Sequence, residues 1–68
     1  MRLADFHQRV TDIFGTDRGA WILHSHVLSG IGTTADEAMD AGISVDAVWE
    51  RLCQDFEVPA EQYWGIDR

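Results

Sequence analysis

Apolar residues recur along this chain with the period of a helix rather than of a strand. Leu3, Phe6, Val10, Ile13 and Phe14 fall within an arc of about 100° at 3.6 residues per turn, opposite Asp5, Gln8, Arg9 and Asp12. That pattern predicts a first helix from about Leu3 to Phe14, supported by an Asp5–Arg9 pair one turn apart. Gly15 supplies a helix stop, and Thr16 or Asp17 can cap the next helix. A second helix is expected from about Arg18 to Ser29. Ala20, Trp21, Leu23, Val27, Leu28 and Ile31 share its broad apolar face, and Gly30 and Gly32 end it. On that phase Trp21 borders the core and Ile22 lies off the face.

The second half of the chain marks its elements more explicitly. Thr34-Ala35-Asp36-Glu37 reads as a capping box, in which each end satisfies a backbone donor of the other. It opens a short third helix that closes at Gly42. Ser44 caps a fourth, where Val45, Val48, Trp49, Leu52, Cys53 and Phe56 give the strongest periodicity in the chain. Pro59 ends what precedes it, and Pro59-Ala60-Glu61-Gln62 can start a last helical turn. Nothing alternates with a period of two over a useful length. The expected architecture is all-α: one small domain over residues 1–68, with four helices and a C-terminal helical turn.

The third and fourth helices carry a helix-turn-helix spacing. Ala38 lets two helices approach, Gly42-Ile43-Ser44 makes the turn, and Val48, Trp49 and Leu52 pin the second helix on the first. Charge points the other way. From Asp36 to Glu57 there are seven carboxylates (Asp36, Glu37, Asp40, Asp46, Glu50, Asp55, Glu57) and one base, Arg51. A DNA reader needs the reverse, because neutralising phosphates supplies most of the binding energy. A net charge of −7 favours a protein with a basic surface over nucleic acid or an anionic membrane. The bland account is that the charge only keeps the protein soluble.

At 68 residues the chain is near the lower limit for an unassisted core. Three Trp, three Phe and one Tyr supply apolar bulk where other small domains use disulfides or a metal. Cys53 stands alone, so no intramolecular disulfide forms. No apolar signal core follows Met1 and no apolar run approaches the roughly 20 residues of a membrane span, so the cytoplasm is the expected compartment.

Several of these residues together resemble a known family. They are Met1-Arg2-Leu3, Phe6, Arg9, Phe14-Gly15, His26-Val27-Leu28, the Thr34…Ala38…Gly42 spacing, Val48-Trp49, Leu52-Cys53, Val58-Pro59 and Trp64. The pattern resembles DUF3046, a family of small uncharacterised actinobacterial proteins, and covers nearly the whole chain. The resemblance implies no catalytic residues. It does imply a link to recombination, since genes of that family often lie near those of the recombinase RecA and its regulator RecX.

Candidate chemistry is sparse. As a DNA reader the fourth helix would present Asp46, Ala47, Glu50, Arg51 and Gln54 to base edges, and only Arg51 and Gln54 could make favourable contacts. His24 and His26, two apart, diverge by about 160° on a helix. His24 falls on the apolar face, where a semi-buried histidine with one hydrogen-bond partner is expected, and His26 points away. His7, at the margin of the first apolar arc, could join His24 and Cys53 around a metal, though nothing requires it. Cys53 has no neighbour that would make it a nucleophile, so it should pack as a small apolar residue. No catalytic Ser/His/Asp order or phosphate-binding loop is present, and so short a chain has little material for an enclosed pocket of roughly 300–1,000 Å³.

Aromatic residues leave one further option. Trp64 lies past Pro59, where either the turn folds back so that Tyr63 and Trp64 cap the core, or Trp64 anchors a partner within an acidic rim. The expectation is therefore a non-enzymatic protein-interaction module without a cofactor, using Asp46, Glu50 and Trp64 against a basic partner. The alternative is a helix-turn-helix DNA-binding regulator, and a third possibility is a metal-dependent fold.

Overall fold

The computed structural model describes residues 1–62, and within them the chain forms four α-helices. They are α1 (Leu3–Phe14), α2 (Thr16–Ser25), α3 (Ala35–Asp40) and α4 (Val45–Asp55), followed by a 3₁₀ turn at Ala60–Gln62. No strand forms among the described residues; a single antiparallel bridge joins Val27 to Thr34. Each helix packs on the next, and α1 closes the globule against α4. The radius of gyration, 10.9 Å, matches the ~11 Å expected of a globule this size. No described helix is long and apolar enough to cross a membrane.

α1 has the predicted bounds and buries Phe6 and Val10, with Ile13 and Phe14 packed at the edge. Leu3 is half exposed despite its place in the apolar arc. The Asp5–Arg9 ion pair is not formed among the described residues; Gln8 donates instead to Asp12 at 2.8 Å on the same exposed face. Gly15 then reverses the chain in one residue. Its φ of +93° is open to glycine, its N–H bonds to Thr11 and its carbonyl accepts from Gly19. Because that glycine ends α1 and begins α2, neither Thr16 nor Asp17 is a cap, and both sit inside the first turn.

α2 departs furthest from its sequence pattern. Its buried residues are Gly19, Ile22 and Leu23, whereas Trp21 is 59% exposed. The cause is close approach to α1: a Cβ at Gly19 would stand 2.8 Å from the Val10 side chain. Glycine lets the helices touch there, and that contact fixes the phase, bringing Ile22 and Leu23 inward. The helix also stops at Ser25, four residues before the expected end. Continued, it would carry Leu28 about 180° away from Gly19 at 100° per residue. Leaving the helix at His26 (φ −82°, ψ 122°) allows Leu28 to be fully buried, and the Leu28 N–H bonds to Thr33.

α3 and α4 follow their sequence signals closely. Thr34 Oγ1 accepts from the Glu37 N–H at 3.3 Å and Glu37 Oε1 accepts from the Thr34 N–H, completing the capping box. α3 ends in a Schellman motif: Gly42 N–H bonds to Met39, Ile43 N–H to Ala38, and Gly42 takes φ +96°. Ser44 Oγ caps α4 on the Ala47 N–H at 3.1 Å. Val48, Trp49, Leu52 and Cys53 are fully buried, and Trp49 meets the Phe6 ring edge-on at 5.9 Å. α4 ends in the same motif, with Glu57 N–H on Gln54 and Val58 N–H on Cys53, but Glu57 occupies the left-handed position at φ +56°.

Candidate functional site

The exposed side of α4 is acidic and almost without bases. Asp46, Ala47, Glu50 and Gln54 face solvent, as their spacing opposite Val48, Trp49 and Leu52 requires. Arg51, the helix's one base, is half-buried and lies over Gly30, about 3.8 Å from where a side chain there would begin. A cleft of about 240 Å³ runs between that loop and α4, with Glu50, Arg51 and Gln54 on one side and Gly30 and Ile31 on the other. The two expected site carboxylates differ. Asp46 pairs with the Met1 amino group at 2.9 Å, while no ion pair reaches Glu50 among the described residues. With Asp46 still 56% exposed, its pair contributes little, in the range of about 0–1 kcal/mol. Trp64, the third expected site residue, lies outside the described residues.

The histidine expectations are reversed. His24 is exposed, whereas His26 is partly buried, hydrogen-bonds Asp55 through Nε2 at 2.9 Å and packs on the Phe56 ring at 4.7 Å. The early end of α2 causes this, because His26 leaves the helical phase and turns toward the end of α4. Asp55 also accepts from the Ser29 N–H at 2.9 Å and the Ser29 hydroxyl at 2.5 Å, so its side chain is only 10% exposed. Burial alone would raise the Asp55 carboxyl, but the Ser29 hydroxyl and amide, with the His26 ring, together hold it below the ordinary aspartate value.

Ser29, His26 and Asp55 thus meet, although the sequence offered no such set. Their order is not that of a hydrolase. The serine hydroxyl and the imidazole both bond to the carboxylate, whereas in a hydrolase triad the serine bonds to the histidine. The group instead ties the α2–α3 loop to the end of α4. One signal in the sequence pointed to it. An acid in the last turn of a helix opposes the helix dipole by about 0.3–1 kcal/mol, which partners such as Ser29 and His26 offset.

Cys53 is fully buried in the core, and burial, with the Glu50 charge adding to it, pushes its thiol up to about 12. A thiol held that high is not a nucleophile near neutral pH. His7 and His24 line one open groove of about 460 Å³ between α1 and α2, apart from the buried Cys53. Its volume is larger than so short a chain led us to expect, although it is a groove and not an enclosed pocket. Among the described residues no cluster of three or more His, Cys, Asp and Glu side chains could hold a metal ion.

DUF3046, a family described as proteins of unknown function, matches residues 1–61. The chain belongs to this family. The DUF3046 match takes in all four helices, the Asp55 tie and both exposed carboxylates of α4. No curated protein and no solved structure matches the chain.

Proposed function

We propose that this DUF3046 protein is a non-enzymatic, cytoplasmic interaction module whose acidic α3–α4 surface receives a basic protein surface. The observation that supports it most is the outer side of α4, where Asp46 and Glu50 are exposed and Arg51 is drawn over Gly30. On α3, Glu37 and Asp40 are exposed carboxylates as well. Such a face steers and orients a cationic partner, and it repels the phosphates that a helix-turn-helix reader would need to approach. Trp64 is the aromatic anchor in this proposal. The link to recombination that the family resemblance implies makes that machinery the first place to look for the partner.

The test is an affinity capture from the native lysate, with and without nuclease, read by mass spectrometry. A stoichiometric protein should survive nuclease and be lost when Asp46 and Glu50 are both changed to Lys. Glu50→Lys alone and Trp64→Ala should each weaken retention while leaving helicity intact by circular dichroism. Capture that vanishes with nuclease, or is unchanged in all these variants, defeats the proposal. Duplex DNA retardation at low salt that falls steeply as salt rises would put the helix-turn-helix alternative in its place.

A further inference from the structure

The groove between α1 and α2 has a composition that suits one kind of side chain. Its floor is Val10, Gly19 and Leu23, with His7 contributed by α1, His24 by α2 and Asp36 by the start of α3. Among the described residues Asp36 is the one lining residue of fixed charge; it is exposed and has no ion pair there. Among the described residues no Arg lines the groove, and the chain carries no Lys and a net charge of −7. Gly19 lies in this lining where α2 comes closest to α1, a Cβ there standing 2.8 Å from the Val10 side chain.

An apolar floor beside a lone carboxylate matches a side chain with an apolar stem and a cationic head. Arginine fits better than lysine, since its planar guanidinium stacks on rings as well as pairing with a carboxylate, and two imidazoles line the groove. We propose that this groove seats an arginine side chain of a protein partner, its methylenes on Val10, Gly19 and Leu23 and its guanidinium against Asp36. The inference rests on the basic partner proposed above but uses a different surface from Asp46 and Glu50. The two surfaces therefore succeed or fail separately.

The probe is a leucine-arginine-leucine peptide, acetylated and amidated, titrated into isotope-labelled protein and followed by backbone amide NMR shifts. Saturable shifts at Val10, Gly19, Leu23 and Asp36 are expected with a millimolar dissociation constant. Replacing the arginine by its neutral isostere citrulline should weaken binding roughly fivefold or more, and so should Asp36→Asn. Ala20→Trp, at an exposed position of the lining, should abolish the shifts, whereas Glu50→Lys should leave them unchanged. Circular dichroism checks that each variant folds. Equal binding of the citrulline peptide overturns the proposal, as does the absence of saturable shifts up to roughly 5 mM peptide. Shifts confined to the Glu50 side of α4 overturn the groove and leave the acidic α4 face standing.

Discussion

The segment Thr34–Val58 and the segment Thr16–Thr33 are both largely helical, yet they are organised by different physics. In the first, nearly every boundary is set by a neighbour in sequence: Thr34 with Glu37, Gly42 with Ala38 and Met39, Ser44 with Ala47. In the second, boundaries are set from afar. Val10 fixes the phase of α2 through Gly19, and Asp55 holds the loop after it through His26 and Ser29. Local chemistry can be read along a chain, whereas a contact made across the fold has to be seen.

The largest test sets the two tryptophans side by side. Trp49 is fully buried and Trp21 mostly exposed, although periodicity alone puts both at the core. Trp49→Ala should cost about 3–5 kcal/mol and Trp21→Ala less than about 0.5 kcal/mol in urea unfolding. Comparable losses would mean that α2 has the phase its apolar pattern suggested.

Next comes the Asp55 tie. Asp55→Ala removes the acceptor of the Ser29 N–H and hydroxyl and the His26 partner, and should cost about 1–2 kcal/mol, water replacing part of what the exposed Ser29 loses. Its pH signature has a definite sign. Because folding lowers the carboxyl's pKa, its stabilisation is complete above the ordinary aspartate value of 3.8 and is lost as pH falls through the lower folded value. The acid limb of stability against pH should therefore flatten in the variant; an unchanged limb would dissociate Asp55 from acid sensitivity.

Gly19→Ala separates local from tertiary control by sign. Helix propensity alone favours alanine by roughly 1 kcal/mol, whereas crowding the Val10 side chain at 2.8 Å costs about 1–3 kcal/mol. A net loss of about 1 kcal/mol in the melt is expected, and a gain would show that α1 yields. The smallest pair compares the two Schellman ends. Gly42→Ala should lose about 1 kcal/mol, while Glu57→Gly should gain up to about 1 kcal/mol, because only the second end strains a side chain at positive φ. Equal and opposite shifts in melting temperature are the readout.

The legible part of the fold was whatever closes within one helical turn. The α1 bounds, the capping box, the Gly42 stop, the Ser44 cap and the buried face of α4 all follow from residues no more than five apart. α2 was misread because a glycine counted as neutral in an apolar pattern, when its lack of a side chain was the contact. His26 was misread because its helical phase was assumed to continue past Ser25. For the candidate site, the exposure of Asp46 and Glu50 was legible from α4 alone, but the turning of Arg51 over Gly30 depends on a loop twenty residues upstream.

The closing of α1 against α4 also bears on how the molecule assembles. Among the described residues, α1–α2, α2–α3 and α3–α4 join neighbours along the chain, and α1–α4 alone spans it, with Phe6 meeting Trp49. Chains dominated by such short-range contacts fold in microseconds to milliseconds. The α1–α2 and α3–α4 hairpins can form independently, each at little loop-closure cost, before the ends of the chain are brought together. Substitutions at Phe6 should accordingly accelerate unfolding far more than they slow folding, so that the aromatic contact sets how long the folded state lasts rather than how quickly it is reached.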